Sequence, residues 1–81
     1  MATKKTRAEK MAEKVMRKVI ETAFYKVAYG VTIPMMAIPK IFAAGEETYK
    51  ACEKLGMPAE ETAEIVGVRV KATVEEVAVS P

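Results

Sequence analysis

The sequence predicts an all-α protein of two or three amphipathic helices, at about 5–29, 39–55 and 58–78, forming a bent hairpin or small bundle. Apolar residues recur every three to four positions, and Gly and Pro separate the periodic segments. The 81 residues fit a single domain, 1–81, with fraying ends at 1–5 and 79–81. Because one core of this size supplies little stability, we expect the protein to be oligomeric.

The first predicted helix, 5–29, contains neither Pro nor Gly. Gly30 follows it as a plausible stop. Two rows of apolar residues have helical spacing, and the second row widens the apolar face that the first row forms. The first row is Ala8, Met11, Val15, Val19, Ala23 and Val27, and the second is Met16, Ile20 and Phe24.

A bend is predicted at 32–39, within the charge-free run 27–39. Pro34 and Pro39 argue against one helix through this run. Pro39 can instead occupy the first turn of a second helix, which Gly56 terminates. The side of that helix predicted to face inward carries Ile41, Phe42, Ala44, Gly45, Thr48, Cys52 and Leu55.

The third segment opens at Pro58, with Glu60 and Glu61 where carboxylates favour a helix start. Its apolar spacing at Ala63, Val66, Val70, Val74 and Val77 is helical. Over 66–78, however, valines also alternate with polar residues as in a strand. We favour a helix, because there is no second alternating run with which a strand could pair.

No catalytic or metal-binding constellation is visible in these residues. The chain has no His and no Asp, so the commonest general base and most metal-ligand sets are missing. Cys52 is the single cysteine and is expected to be a small buried apolar residue. The four glycines are isolated, so no glycine-rich loop could hold a phosphate. We therefore predict no enzyme activity, no metal and no cofactor.

The segment 23–44 concentrates more apolar surface than one short helix can cover, with only Lys26 and Lys40 as charges. A charge-free run interrupted by two prolines does not suit a transmembrane helix. These side chains are expected to form a core or subunit interface, or alternatively to contact lipid. The predicted contact residues are Phe24, Tyr25, Tyr29, Ile33, Met35, Met36, Ile38, Ile41 and Phe42.

Charge is distributed unevenly along the chain. Residues 1–30 carry eight Lys or Arg and three Glu, whereas residues 57–81 carry two and five. A helix opening with Glu60, Glu61 and Glu64 would repel phosphate, which argues against nucleic-acid binding. The residues predicted to make electrostatic contacts with a partner are Lys10, Lys14, Arg17 and Lys18.

The leading functional interpretation is a non-catalytic accessory or structural subunit that oligomerises or docks on a larger assembly through its apolar centre. The alternative is a peripheral coat on a membrane or storage granule. The Lys-rich start MATKKT and the tail rich in Glu, Val and Ala carry a resemblance of this chain to phasin-like proteins, which is one of composition. A nucleic-acid-associated protein ranks third. Because the basic start continues into charged residues, we expect a cytoplasmic location, peripheral to a membrane under the alternative.

Overall fold

A computed structural model of the protein describes residues 6–79 and contains three α-helices. They are α1 (Arg7–Ala28), α2 (Ile38–Lys54) and α3 (Ala59–Val77), and a short 3-10 helix at Met35–Ala37 precedes α2. The all-α prediction is confirmed, and the predicted helix limits agree to within about two residues. Segment 66–78 is helical through Val77.

Helix α1 begins and ends at residues suited to those positions. The Thr6 hydroxyl accepts a hydrogen bond from the Glu9 backbone N–H at 3.1 Å and so caps the first turn. After Ala28 the chain turns through Gly30, whose φ of 74° lies in the left-handed region. The predicted stop at Gly30 is therefore confirmed.

The connection from α1 to α2 is held by backbone hydrogen bonds. The Val31 N–H donates to the Ala28 carbonyl, and the Val79 N–H donates to the Thr32 carbonyl, both at 3.0 Å. The second bond joins the bend to the residue after α3. Among the residues predicted to fray, 1–5, 80 and 81 lie outside the described residues. Val79, the remaining one, donates the hydrogen bond to Thr32.

The α2–α3 turn is short and sharply defined. Gly56 has a φ of 70°, and its N–H donates to the Glu53 carbonyl at 3.0 Å. The Met57 N–H donates to the Cys52 carbonyl at 3.1 Å, which completes a Schellman motif. Pro58 then precedes α3. Local backbone requirements thus place the turn where the sequence predicted it.

The core lies between the three helices and is built mainly from branched aliphatic side chains. Its buried apolar residues are Met16, Ile20, Phe24, Ile41, Cys52, Val66, Val70 and Val74. On α1 the buried row is the second of the two predicted rows, whereas Met11 and Val15 of the first row are exposed. The prediction that Leu55 faces inward is wrong: it is exposed at the C-cap of α2, next to the α2–α3 turn.

Gly45 allows α2 to approach both neighbouring helices closely. A Cβ at this position would lie 3.0 Å from one side-chain carbon of Ile20 and 3.3 Å from one of Val70. Both neighbours are fully buried, so neither has free space into which to move. A side chain at residue 45 would therefore press on both neighbours and oppose the close packing of α2.

The bundle runs up, down and up, and α3 packs against both other helices more extensively than they pack against each other. Because α1 and α3 both lead to the Thr32–Val79 pairing, they run parallel. The molecule is flat, with extents of 44 × 32 × 16 Å. Its radius of gyration is 13.8 Å, against about 12 Å for a typical compact domain of this length.

Candidate interaction surfaces

The structure divides the nine predicted contact residues of the central segment into two groups. Phe24 and Ile41 belong to the buried core. Ile33, Ile38 and Phe42 are half-buried and pack against that core, and the Phe24 and Phe42 ring centroids lie 5.4 Å apart. These five side chains are largely covered within one copy of the chain. They fix the bend to the bundle and leave little surface for a partner.

The other four predicted contact residues are exposed, and we call them together the junction patch: Tyr25, Tyr29, Met35 and Met36. Their exposed fractions are 68%, 90%, 85% and 93%. They lie at the end of α1 and in the connection to α2, and the exposed Lys26 and Lys40 are their neighbours in sequence. Much of the apolar surface that the sequence predicted to be covered therefore faces solvent at one end of the molecule.

The four predicted electrostatic residues, Lys10, Lys14, Arg17 and Lys18, are all exposed on α1. Lys10, Lys14 and Arg17 lie in the first half of α1 and Lys18 lies at its middle, whereas Tyr25 of the junction patch lies in its last turn. Lys18 and Tyr25 are separated by seven positions, which is about 10 Å along a helix. The basic residues and the junction patch therefore follow one another along α1.

An open depression that was not predicted from the sequence lies between α1 and α3, and we call it the α1–α3 groove. Its volume is about 830 Å³. The lining is mostly aliphatic, with lysines along the α1 side. The lining residues are Lys14, Val15, Lys18, Val19, Thr22, Ala23 and Lys26 of α1, and Ala63, Glu64 and Gly67 of α3.

A four-residue repeat within α1 could have indicated this groove. Val15, Val19 and Ala23 form one row, and Lys14, Lys18 and Lys26 lie beside it. The sequence could not show that small residues of α3 would stand opposite. The two elements meet only through the tertiary fold.

Two further depressions lie at opposite ends of the bundle. One, of about 750 Å³, involves the bend and the end of α3 and shares Lys26 with the α1–α3 groove. The other, of about 410 Å³, lies near the α2–α3 turn, where Leu55 and Ile65 are exposed. Neither contains a cluster of titratable groups that would indicate catalysis.

Within residues 6–79 the polar chemistry of the interior is modest. Cys52 is buried, as predicted, and the buried Thr73 hydroxyl donates to the Arg69 carbonyl at 2.9 Å. Burial, reinforced by the charge of Glu53, raises the pKa of Tyr49. No group of three or more His, Cys, Asp or Glu in this range could hold a metal ion. Every buried side-chain nitrogen or oxygen there has a hydrogen-bond partner.

No helix in the described part of the chain is both long and apolar enough to cross a membrane. Comparison with protein-family models, with curated proteins and with solved structures gives no match.

Proposed function

We propose that this chain is a small non-catalytic accessory protein that docks on a partner protein through the junction patch. The observation that carries the proposal is the 68–93% exposure of Tyr25, Tyr29, Met35 and Met36. Single exposed apolar residues are ordinary, but four large ones grouped at one end of a small bundle favour association. Tyrosine is enriched at binding hot spots, and methionine adapts its shape to a partner.

The bend that carries the patch is already ordered by contacts within the chain. Ile33 and Ile38 pack beneath it on the core, and the Val79 N–H bonds to the Thr32 carbonyl. A preformed surface loses less conformational entropy on binding than a flexible loop does. Covering the four side chains would contribute roughly 6 to 12 kcal/mol. The costs of association reduce that gain, so the patch suits moderate to tight docking.

The residue inventory also supports a binding role in a reducing cytoplasm. Without His or Asp, this chain lacks the side chains that most often act as general bases. Its single cysteine is buried and cannot form a disulfide within one copy. The physical features that remain are surfaces, and the junction patch is the most exposed apolar one.

The test combines a triple variant, Tyr29→Ser, Met35→Ser and Met36→Ser, with the control Leu55→Ser. Leu55 is 78% exposed and lies after α2, at the opposite end of the bundle from the patch. Circular dichroism should show native helix content for both proteins, because none of these side chains is in the core. Quantitative affinity capture with cross-linking should then identify a stoichiometric partner of the native protein.

The triple variant should capture at least about tenfold less of that partner than the native protein does. The control Leu55→Ser should capture as much of it as the native protein. If light scattering instead gives a multiple of 8.9 kDa that only the triple variant reduces to the monomer, the partner is a second copy. Equal losses in both variants, or no loss in either, would refute docking through the junction patch.

A lipid or granule surface is the second candidate, and the lysines beside the patch favour it. Lys26 and Lys40 are exposed close in sequence to tyrosines and methionines, a combination found in proteins that lie on anionic membranes. Under this alternative the protein floats with anionic vesicles, and high salt or Lys26→Glu with Lys40→Glu releases it. A protein-docking subunit stays in solution in the same flotation experiment.

A further inference from the structure

We infer that the α1–α3 groove is a second docking site, which takes an amphipathic helix with acidic flanks from a partner protein. The groove lies along the sides of two parallel helices, whereas the junction patch is at their end. The inference does not depend on the proposed function, because different residues carry it.

The shape of the groove fits a helix. Its α1 side offers Val15, which is 54% exposed, followed by Val19 and Ala23 at four-residue intervals. On α3 the small residues Ala63 and Gly67 leave the opposite wall low. From Lys14 to Lys26 the lining spans twelve positions, or about 18 Å of helix. This is room for about three turns of a docked helix, bound by anchors on one face.

Gly67 is the feature that packing within one chain leaves unexplained. It lies in the interior of α3, where glycine is less favourable than alanine. A Cβ at this position would meet no atom within 4 Å. At Gly45, in contrast, an added Cβ would press on Ile20 and Val70. A second helix approaching closely through the groove would give Gly67 the role that α2 packing gives Gly45.

The charges along the groove favour an acidic occupant. Lys14, Lys18 and Lys26 follow its α1 side, and Glu64 is the one acidic residue in its lining. Three positive charges along one edge attract a helix that carries Glu or Asp beside its apolar face. They also favour one register of that helix over others.

A second copy of this chain fits the groove poorly. If two grooves faced each other with the helices antiparallel, Lys14 of one copy would lie near Lys26 of the other, and the lysine rows would repel. If the helices were parallel, all four positive N-terminal ends would gather at one side. Nucleic acid would bring phosphates onto an aliphatic floor and close to Glu64.

The first experiment uses two synthetic helical peptides of about fifteen residues, with leucines on one face. One carries glutamates beside that face and the other carries lysines. Fluorescence anisotropy at low salt should show that the protein binds the acidic peptide at least about tenfold more tightly than the lysine peptide. Amide resonances of Val19 and Gly67 should shift on its addition. Equal affinities, or shifts confined to other surfaces, would overturn the inference.

Variants of the protein then test the groove itself. Gly67→Leu should lower the affinity for the acidic peptide at least about tenfold, because the leucine side chain would fill the groove. It should remain folded because there is open space beside residue 67. The control Val68→Leu changes the next residue of α3, which is exposed outside the groove lining, and should bind normally. Lys18→Glu should reverse the preference between the two peptides.

The junction-patch triple variant should bind the acidic peptide normally, so failure of either proposal is distinguishable from failure of the other. Insensitivity to Gly67→Leu would overturn the inference. So would concentration-dependent shifts of the groove amides without peptide, which would identify a second copy as the occupant. Competition for the groove by duplex DNA would also overturn it.

Discussion

Two regions of the bundle differ sharply in how closely they are packed. Around Gly45 of α2, an added Cβ would meet Ile20 of α1 and Val70 of α3 at 3.0–3.3 Å. In the α1–α3 groove, a Cβ added at Gly67 would meet no atom within 4 Å, and Val15 stays about half exposed. Two glycines in helix interiors thus stand in opposite situations. The first is explained by the fold of one chain, and the second leaves space that a partner can occupy.

This difference shows which part of the molecule defines the fold and which part is available for binding. Closely packed contacts leave no space for rearrangement, so changes in the core around Gly45 should destabilise the fold. Changes in the α1–α3 groove should not destabilise it and should act on association.

Replacing Ile41 with alanine should lower the free energy of unfolding by about 2 to 5 kcal/mol, because the side chain is fully buried. In an 81-residue protein this is a large part of the total stability. Thermal and urea unfolding followed by circular dichroism measure the loss. Val15→Ala is the matched groove variant and should change stability by less than about 0.5 kcal/mol. A similar loss of stability in both variants would remove the contrast between the core and the α1–α3 groove.

Gly45→Ala should lower the free energy of unfolding by up to about 2 kcal/mol. The new Cβ would press on Ile20 and Val70, which are fully buried. Overpacking costs typically 1 to 3 kcal/mol, and about 1 kcal/mol of intrinsic helix preference for alanine offsets part of that cost. Urea unfolding provides the measurement. A gain in stability would mean that α2 can move away without loss.

Gly67→Ala should raise the free energy of unfolding by about 0.5 to 1 kcal/mol, since alanine is the better helix former. The open space beside Gly67 means that no clash opposes this gain. For a domain of this size the midpoint temperature should rise by about 4 to 8 °C per kcal/mol. Gly45→Ala and Gly67→Ala are the same substitution at two positions, and they should change the free energy of unfolding in opposite directions. A lower midpoint would show that the groove is more crowded than its geometry indicates.

The smallest effect concerns the half-buried Tyr49. Burial and the nearby charge of Glu53 raise the pKa of its hydroxyl above the ordinary value of 10.0. The unfolded chain therefore loses this proton first, so stability is retained below pH 10.0 and declines as pH rises through the folded-state pKa. Tyr49→Phe should remove this contribution to alkaline destabilisation. Unfolding measured across that pH range compares the two proteins, and parallel curves would contradict the expectation.

Local structure was largely predictable because local interactions control it. The limits of the helices follow from a hydroxyl cap at Thr6, a proline in the first turn of α2, and left-handed glycines at 30 and 56. Each of these acts over a few residues. Residues 66–78 were ambiguous, because valine spacing there fits both a helix and a strand. A strand needs a distant partner, and tertiary packing instead buries Val66, Val70 and Val74 of α3.

The burial of particular side chains was less predictable. Periodicity identified both apolar rows of α1, but it could not show that Met16, Ile20 and Phe24 would be buried while Val15 remained exposed. The placement of α2 and α3 against α1 buries one row and leaves residues of the other exposed. In the same way, one apolar segment divided into core residues and the exposed junction patch.

By itself, the sequence determined the helical class, the positions of the turns and the missing catalytic residue types, because composition, periodicity and capping are properties of short stretches. Only the tertiary structure decided that Gly45 is enclosed and Gly67 is open. It alone created the α1–α3 groove, whose walls are about forty or more residues apart in sequence. Surfaces of that kind depend on the relative placement of whole helices, which no local pattern specifies.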